Sequence, residues 1–225
     1  MPILFIKQIP LFAPLSPSEQ VALASLLRRR SIRKGDFLFH KGDEGTALYI
    51  ISKGLIKIAV PTSRGDEVTL AILTDGDFFG EMALLDDMPR SADATALEDT
   101  QLHVLSRADF LSFLIQNEHA VRAIIQVLSL RLRRTDDMVA EVCFLNVSAR
   151  LAKRLVALVE SRHQAEKGDE QYDVHLTQRE LASLIGVSRE TINKELKILR
   201  EKGIVSTARN AIKIRDLERL KHRIR

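Results

Sequence analysis

The chain has 225 residues, 45% hydrophobic and 28% charged, an ordinary globular mix long enough for one large domain or two small ones. No apolar run approaches the roughly 18 residues a membrane span needs, and Met1–Lys7 lack the basic region and cleavable core of a secretion signal. The one cysteine, Cys143, excludes a disulfide framework and a CxxC metal site, so a cytoplasmic protein without membrane attachment is expected.

The net charge of +4 hides an asymmetry. From Arg150 onward there are 18 Lys and Arg against 11 Asp and Glu, a surplus of +7, and before it 16 against 19. A basic C-terminal third behind a mildly acidic front fits a separate anion-binding module, with nucleic acid the leading candidate.

In chain order, Ser16-Pro17-Ser18-Glu19 is a helix start: Ser as N-cap, Pro at the first helical position and Glu closing a capping box. The helix is predicted to run to about Leu27, with Arg28-Arg29-Arg30 as its solvated, dipole-favoured end. From Ser31 to about Leu105 seven of the ten glycines, Gly35 to Gly80, punctuate short apolar segments. Phe37–His40, Ala47–Ser52, Leu55–Val60, Val68–Leu73 and His103–Leu105 read as strands. Lys53-Gly54 and Arg64-Gly65-Asp66 sit where hairpin turns are needed. Many short strands with regular turns indicate an antiparallel barrel or jelly roll.

One longer insertion, Phe78 to Ala92, interrupts this pattern. Gly80 lets an anion approach the main chain, and the amides of Glu81, Met82 and Ala83 point outward from the start of a single helical turn, where unpaired N–H groups attract negative charge. Arg90 adds a fork of donors suited to two phosphate oxygens, on a loop read as exposed. Glu81 fits a sugar, because a carboxylate accepts from a ribose 2′-hydroxyl. Together they describe a site for a nucleotide whose phosphate is strapped to its sugar. Gly80-Glu81-x-Ala83-Leu84, five residues and Arg90-Ser91-Ala92 resemble the phosphate-binding cassette of cyclic-nucleotide-binding domains.

Asp109 onward is predicted helical, with no Gly or Pro until Gly168. Val121, Ile125, Leu128, Leu132, Thr135, Val139 and Val142 form a heptad seam, which supports a homodimer through residues 121–142; the bland alternative is a helix packed on its own barrel. Thr135 is the polar member of that seam. Cys143 lies in an apolar helical context, where a buried thiol is expected. Phe144–Ser148 breaks the pattern as a hinge, with Asn146 or Ser148 capping a helix from Ala149 to about Glu160. Gln164–Asp173 is polar and reads as a loop or the lead-in to a β-wing.

Leu176 to Ile192 fits a helix-turn-helix. Thr177 and Glu180 form a capping box, Leu181, Leu184 and Ile185 an apolar face, and Gly186 the turn. Ser188 caps a second helix with Ile192, Leu196 and Leu199 inward. Arg189, Glu190, Asn193 and Lys194 point outward at the end from which recognition helices read bases. Arg suits guanine and Glu the cytosine amino group. After Gly203, Ile204–Ser206 and Ala211–Ile214 form a hairpin wing.

Over nearly its whole length this order resembles the cyclic-AMP receptor protein family of bacterial transcription regulators. The resemblance implies an α+β protein: residues 1–107 as an antiparallel β jelly-roll cyclic-nucleotide-binding domain, 108–145 as dimerisation helix and hinge, and 146–225 as a winged helix-turn-helix. It implies Gly80, Glu81, Met82, Ala83, Arg90, Ser91 and Thr135 as ligand contacts, with cAMP as effector and Thr135 bonding the base. It implies Arg189, Glu190 and Lys194 as base readers beside Asn193, and Thr177, Arg179 and Ser188 at phosphates of a double-stranded operator, with RNA polymerase as a further partner. Two positions depart from the best-known member. Asp136 stands where a Ser from the partner subunit lies beside the base, and a carboxylate accepts from adenine's amino group or from guanine's N1–H and N2–H₂. Lys194 stands where an Arg would read guanine bidentately. The cysteines of the iron–sulfur branch are absent.

The competing expectation is a constitutive DNA-binding regulator whose barrel is an interaction module or takes cGMP or a cyclic dinucleotide. An enzyme fits worst. Asp86-Asp87 reads as a solvated turn, the six His are scattered, and no catalytic set or cofactor site emerges.

Overall fold

The computed structural model describes residues 9, 12–13, 15–62, 66–163, 173–174, 176–208 and 211–224. The expected turn at Arg64-Gly65, most of the expected loop Gln164–Asp173 and the segment Met1–Lys7 lie outside the described residues. The chain divides into two units: residues 1–61 with 70–134, and residues 62–69 with 135–225.

In the first unit, α1 (Pro17–Leu26) opens with the predicted capping box: the Ser16 amide donates to the Glu19 carboxylate at 2.7 Å and the Glu19 amide to Ser16 Oγ at 3.4 Å. The basic cluster after it corrects the sequence expectation. Arg28–Ile32 is strand β1, not a helix end, and pairs antiparallel with Thr100–Ser106, Arg30 opposite Leu102. Leu27 already has extended angles, and pairing with a segment some 70 residues away outweighs the local dipole preference. Charged side chains also suit an edge strand, where they discourage pairing with other chains.

The strands that follow are β2 (Phe37–Phe39), β3 (Ala47–Lys53), β4 (Ile56–Pro61), β5 (Glu67–Leu73), β6 (Phe78–Phe79), β7 (Asp93–Ala96) and β8 (Thr100–Ser106). Among the described residues they form two four-stranded sheets, ordered β1-β8-β3-β6 and β2-β7-β4-β5. Strand β3 shows how the core is built. Tyr49 and Ile51 join Ile56, Leu73, Phe79 and Leu102 in one cluster, whereas Leu48 and Ile50 join Phe12, Leu23, Phe110 and Ile124 in another. Side chains alternate across a strand, so a strand buried on both faces reads as a continuous apolar run.

The cassette turn α2 (Met82–Leu85) follows β6, and α3 (Arg107–Gln116) follows β8. The predicted single long helix is two. Asn117 is extended and buried, its side chain donates to the Phe113 carbonyl at 2.8 Å, and α4 (Glu118–Phe144) starts after it. At 27 residues α4 is about 40 Å long. Ala120, Ala123 and Ile124 pack on the barrel, whereas the seam residues Ile125, Leu132, Val139 and Val142 stand 58–63% exposed. Cys143 is exposed, against expectation, because it lies on the solvent side of the helix end.

Helix α5 (Val147–His163) begins after a break at Leu145-Asn146. Asn146 is its cap, accepting from the Ala149 amide at 2.9 Å, while Ser148 Oγ accepts from Arg223 at 2.8 Å. Then come β9 (Asp173–Val174), α6 (Gln178–Ile185), α7 (Arg189–Glu201), β10 (Val205–Ala208), β11 (Ala211–Ile214) and α8 (Leu217–Lys221), with sheet order β10-β11-β9. Leu151, Leu155, Leu181, Ile185, Ile192, Leu196, Leu199 and Ile212 form one core. Within this unit the buried hydroxyls of Thr69 and Ser183 hydrogen-bond at 2.6 Å. No helix among the described residues is long and apolar enough to cross a membrane.

Candidate functional site: the cassette and the recognition helix

The cassette is built on a close approach. A Cβ at Gly45 would lie 2.5 Å from that of Ala83, so the α2 turn sits directly on the β2–β3 loop. Gly80 has φ +83°, and a Cβ there would lie 2.6 Å from Nη1 of Arg90. Within the turn the Glu81 carbonyl accepts from Leu84 at 3.0 Å and Leu85 at 3.1 Å. The amides of Glu81, Met82 and Ala83 therefore precede the helical ladder, as a helix start requires. Met82 and Ser91 are exposed and Ala83 is buried.

Arg90 is 3% exposed, which corrects the expectation of an exposed loop arginine. Its Nη1 donates to the Gly80 carbonyl at 2.7 Å and its Nη2 to the Ala47 carbonyl at 2.8 Å. The guanidinium lies 4.3 Å from the Phe39 ring centroid. Burial pushes its pKa down, and Tyr49, Glu81 and Asp43 push it back.

Glu81 is 1% exposed and held by a residue that sequence reasoning missed. Arg131 of α4 donates to Glu81 Oε1 at 2.5 Å and also to the Phe78 carbonyl. The other oxygen, Oε2, is buried without a hydrogen-bond partner among the described residues. The signal for Arg131 was present: it precedes Thr135 by four residues, one helical turn, so both belong to one stripe of α4. Thr135 and Asp136 are exposed on that helix. The structure thus gathers Gly80, Glu81, Met82, Ala83, Arg90 and Ser91 into one loop and adds Arg131.

In the second unit, the Thr177 amide donates to Glu180 at 2.6 Å and the Glu180 amide to Thr177 Oγ1 at 3.2 Å, the predicted capping box. Gly186 ends α6 in the left-handed region, φ +71°, a conformation glycine adopts without penalty. Ser188 caps α7, accepting from the Thr191 amide at 3.2 Å. Ile192, Leu196 and Leu199 are buried, whereas Arg189, Glu190, Asn193 and Lys194 are exposed along one face at the helix start. Arg179 and Ser188 are exposed and Thr177 half-buried. A cleft of about 460 Å³ between α6, α7 and the wing is lined by Thr177, Arg179, Arg189 and Thr207. Arg179 and the start of α6 at this cleft suit a phosphate backbone, with Arg189 beside them.

Two protein families match the chain. The cyclic nucleotide-binding domain family matches residues 29–117 and the Crp-like helix-turn-helix domain family residues 149–223. The chain is 33% identical to the CRP-like cAMP-activated global transcriptional regulator of Mycobacterium tuberculosis, over 96% of both chains. It is 34% identical to the cyclic AMP receptor protein of Thermus thermophilus, over 93% of this chain and 94% of that one. In fold it is similar to the c-di-GMP responsive global regulator CLP of Xanthomonas campestris, with a TM-score of 0.80 over 88% of this chain and 99% of that one at 24% identity. With a cassette of this geometry on an antiparallel barrel, a helix-turn-helix behind it and relatives matched end to end, the chain belongs to the CRP family of cyclic-nucleotide-binding, DNA-binding transcription regulators.

Proposed function

We propose that the chain is a ligand-gated regulator: a cyclic nucleotide, cAMP first, binds the barrel and controls operator binding by a homodimer. Residues 1–107 hold the ligand, 108–145 join the two copies, and 146–225 read DNA. The observation that carries this reading is the second carboxylate oxygen of Glu81, a buried acceptor with no hydrogen-bond partner among the described residues, beside amides that precede the α2 ladder. An unsatisfied buried acceptor costs about 1–3 kcal/mol, and a ribose 2′-hydroxyl would satisfy it. The amides of Glu81, Met82 and Ala83 with Ser91 would take the phosphate, and Arg90 would hold the loop that presents them. Thr135 and Asp136 would meet the base. The two relatives named for cAMP support the choice of effector. The exposed seam of α4 supports a homodimer through residues 121–142. Arg189, Glu190, Asn193 and Lys194 would read bases while Thr177, Arg179 and Ser188 hold phosphates. RNA polymerase in the cytoplasm is the further partner this role implies.

A second reading rests on Arg90 and Arg131. Both guanidinium groups already donate to protein oxygens at the cassette, as they would in a barrel that is an interaction module under constitutive DNA binding, or that takes cGMP or a cyclic dinucleotide by other contacts. Calorimetric titration with cAMP, cGMP and cyclic dinucleotides, alongside affinity for duplexes selected from a random pool, separates the two. Saturable cAMP binding that changes duplex affinity supports gating. No nucleotide binding with unchanged duplex affinity supports the second reading.

A further inference from the structure

Three arginines reach carbonyls of the cassette segment: Arg131 that of Phe78, Arg90 that of Gly80, and Arg107 that of Ala83. Neither sequence reasoning nor the family's motif assigns the third. Arg107 is the first residue of α3, behind the N-cap Ser106. A cation is disfavoured at that end of a helix, where the dipole is positive, so its own helix gives no reason for an arginine there. Its side chain instead crosses to α2, meeting its second residue and the residue two past its end. Nη1 donates to the Ala83 carbonyl at 3.3 Å, and Nη2 pairs with the Asp87 carboxylate.

Both partners lie where a one-turn helix is weakest. Four residues are too few to be stable alone, and the last carbonyls of a helix lack internal partners. Asp87, just past the end of α2, has φ +58°, and it is the non-glycine residue with positive φ among the described residues. Glycine or asparagine usually takes this position. An aspartate accepts the left-handed backbone at a cost, and the ion pair with Arg107 gives a reason for it.

We infer that Arg107 is a positioning residue for nucleotide binding. Through the Ala83 carbonyl and the Asp87 carboxylate it straps the cassette turn to α3, and so fixes the direction of the amides of Glu81, Met82 and Ala83. This rests on the reading that the cassette binds a cyclic nucleotide. Asp87 is largely exposed, and an exposed ion pair has a modest effect, so the expected loss is about three- to tenfold in affinity.

The test uses the full chain with Arg107→Gln, Arg107→Lys, Asp87→Asn and Asp87→Gly. cAMP affinity is measured by calorimetry, thermal stability by melting, and amide hydrogen exchange at Leu84, Leu85 and Asp86 without nucleotide. A strap predicts that Arg107→Gln and Asp87→Asn each weaken cAMP binding about three- to tenfold and speed exchange at those amides, with melting little changed. It predicts that Arg107→Lys recovers part of the affinity, and that the double change Arg107→Gln with Asp87→Asn is no worse than Arg107→Gln alone. Asp87→Gly discriminates most sharply: glycine relieves the backbone, so a mere helix-end residue gains or holds affinity, while a strap loses it. Wild-type affinity and exchange in both Arg107→Gln and Asp87→Asn would overturn the inference. If the wild-type chain binds no cyclic nucleotide, the nucleotide reading falls, and the exchange arm decides the strap alone.

Discussion

Arg90 shows how a side chain proposed to serve the ligand site also serves the fold. A buried guanidinium donating to two carbonyls and resting on Phe39 cannot be removed without leaving those carbonyls short of a donor. Arg90→Ala is therefore expected to destabilise the chain by about 2–4 kcal/mol in urea titration, as well as weakening nucleotide binding. Loss of affinity at wild-type stability would mean that Arg90 leaves its carbonyls in the free protein. His103 on β8 gives a second residue-scale expectation. Burial holds its imidazole pKa below the ordinary value, with the charge of Arg29 adding to the effect. As pH falls the unfolded chain takes up this proton first. The stability that goes with the neutral ring is complete above about pH 6.5. It declines from there down to the lower folded-state pKa, below which the slope vanishes. His103→Gln should remove that slope from urea titrations as pH falls below about 6.5; an unchanged slope would assign the titration to another group.

At the scale of elements, α7 makes a division of labour testable. Arg189 projects from its first turn and Arg179 from that of α6, so the first is expected to read a base and the second to position the backbone. Arg189→Ala should cost about 1–3 kcal/mol at one base pair and relax preference there. Arg179→Ala should weaken all duplexes alike and flatten the salt dependence. Equal weakening of selected and random duplexes by both changes would displace the recognition face. The elements legible in the sequence were those whose causes are local. The capping boxes at Ser16 and Thr177 and the left-handed turn at Gly186 are such cases, because the interacting groups lie within a few residues of one another. Of the predicted seam of α4, Ile125, Leu132, Val139 and Val142 stand exposed, whereas Leu128 packs against the barrel core. What was illegible depends on distant partners. Arg28–Ile32 becomes a strand through β8, and Phe78-Phe79 and Asp93–Ala96 are strands through β3, β2 and β4. The cassette residues could be named from their chemistry. That Arg90 and Glu81 would be buried could not, because the groups that bury them, Phe39, Ala47 and Arg131, come from three other segments.

At the scale of the whole molecule, the boundary between the two units falls inside α4, between Arg134 and Thr135, and the helix runs through it unbroken from Glu118 to Phe144. Arg131 engages Glu81 on one side of that boundary, and Thr135, one turn further along the same stripe, is the polar member of an otherwise apolar seam. The proposed gating uses this continuous helix, which ends at the Leu145-Asn146 break, to carry a change in the seam to the residues that follow. Two-fold helix-turn-helix proteins need their recognition helices about 34 Å apart to meet successive major grooves. Under the proposed gating, a small change in how two seams pair would permit or forbid operator binding. Under the proposed gating, nucleotide contact with Thr135 favours one pairing. Thr135→Val removes the hydroxyl but keeps the shape, and it replaces a polar residue by an apolar one in the seam. The dimer should persist or tighten, as sedimentation would show. The ratio of operator affinities with and without saturating cAMP should shrink, a coupling of about 1–3 kcal/mol falling toward zero. Linkage demands the same loss in cAMP affinity measured with and without operator, so the two ratios check each other. A mutant dimer whose ratios both match the wild type would place the coupling outside Thr135.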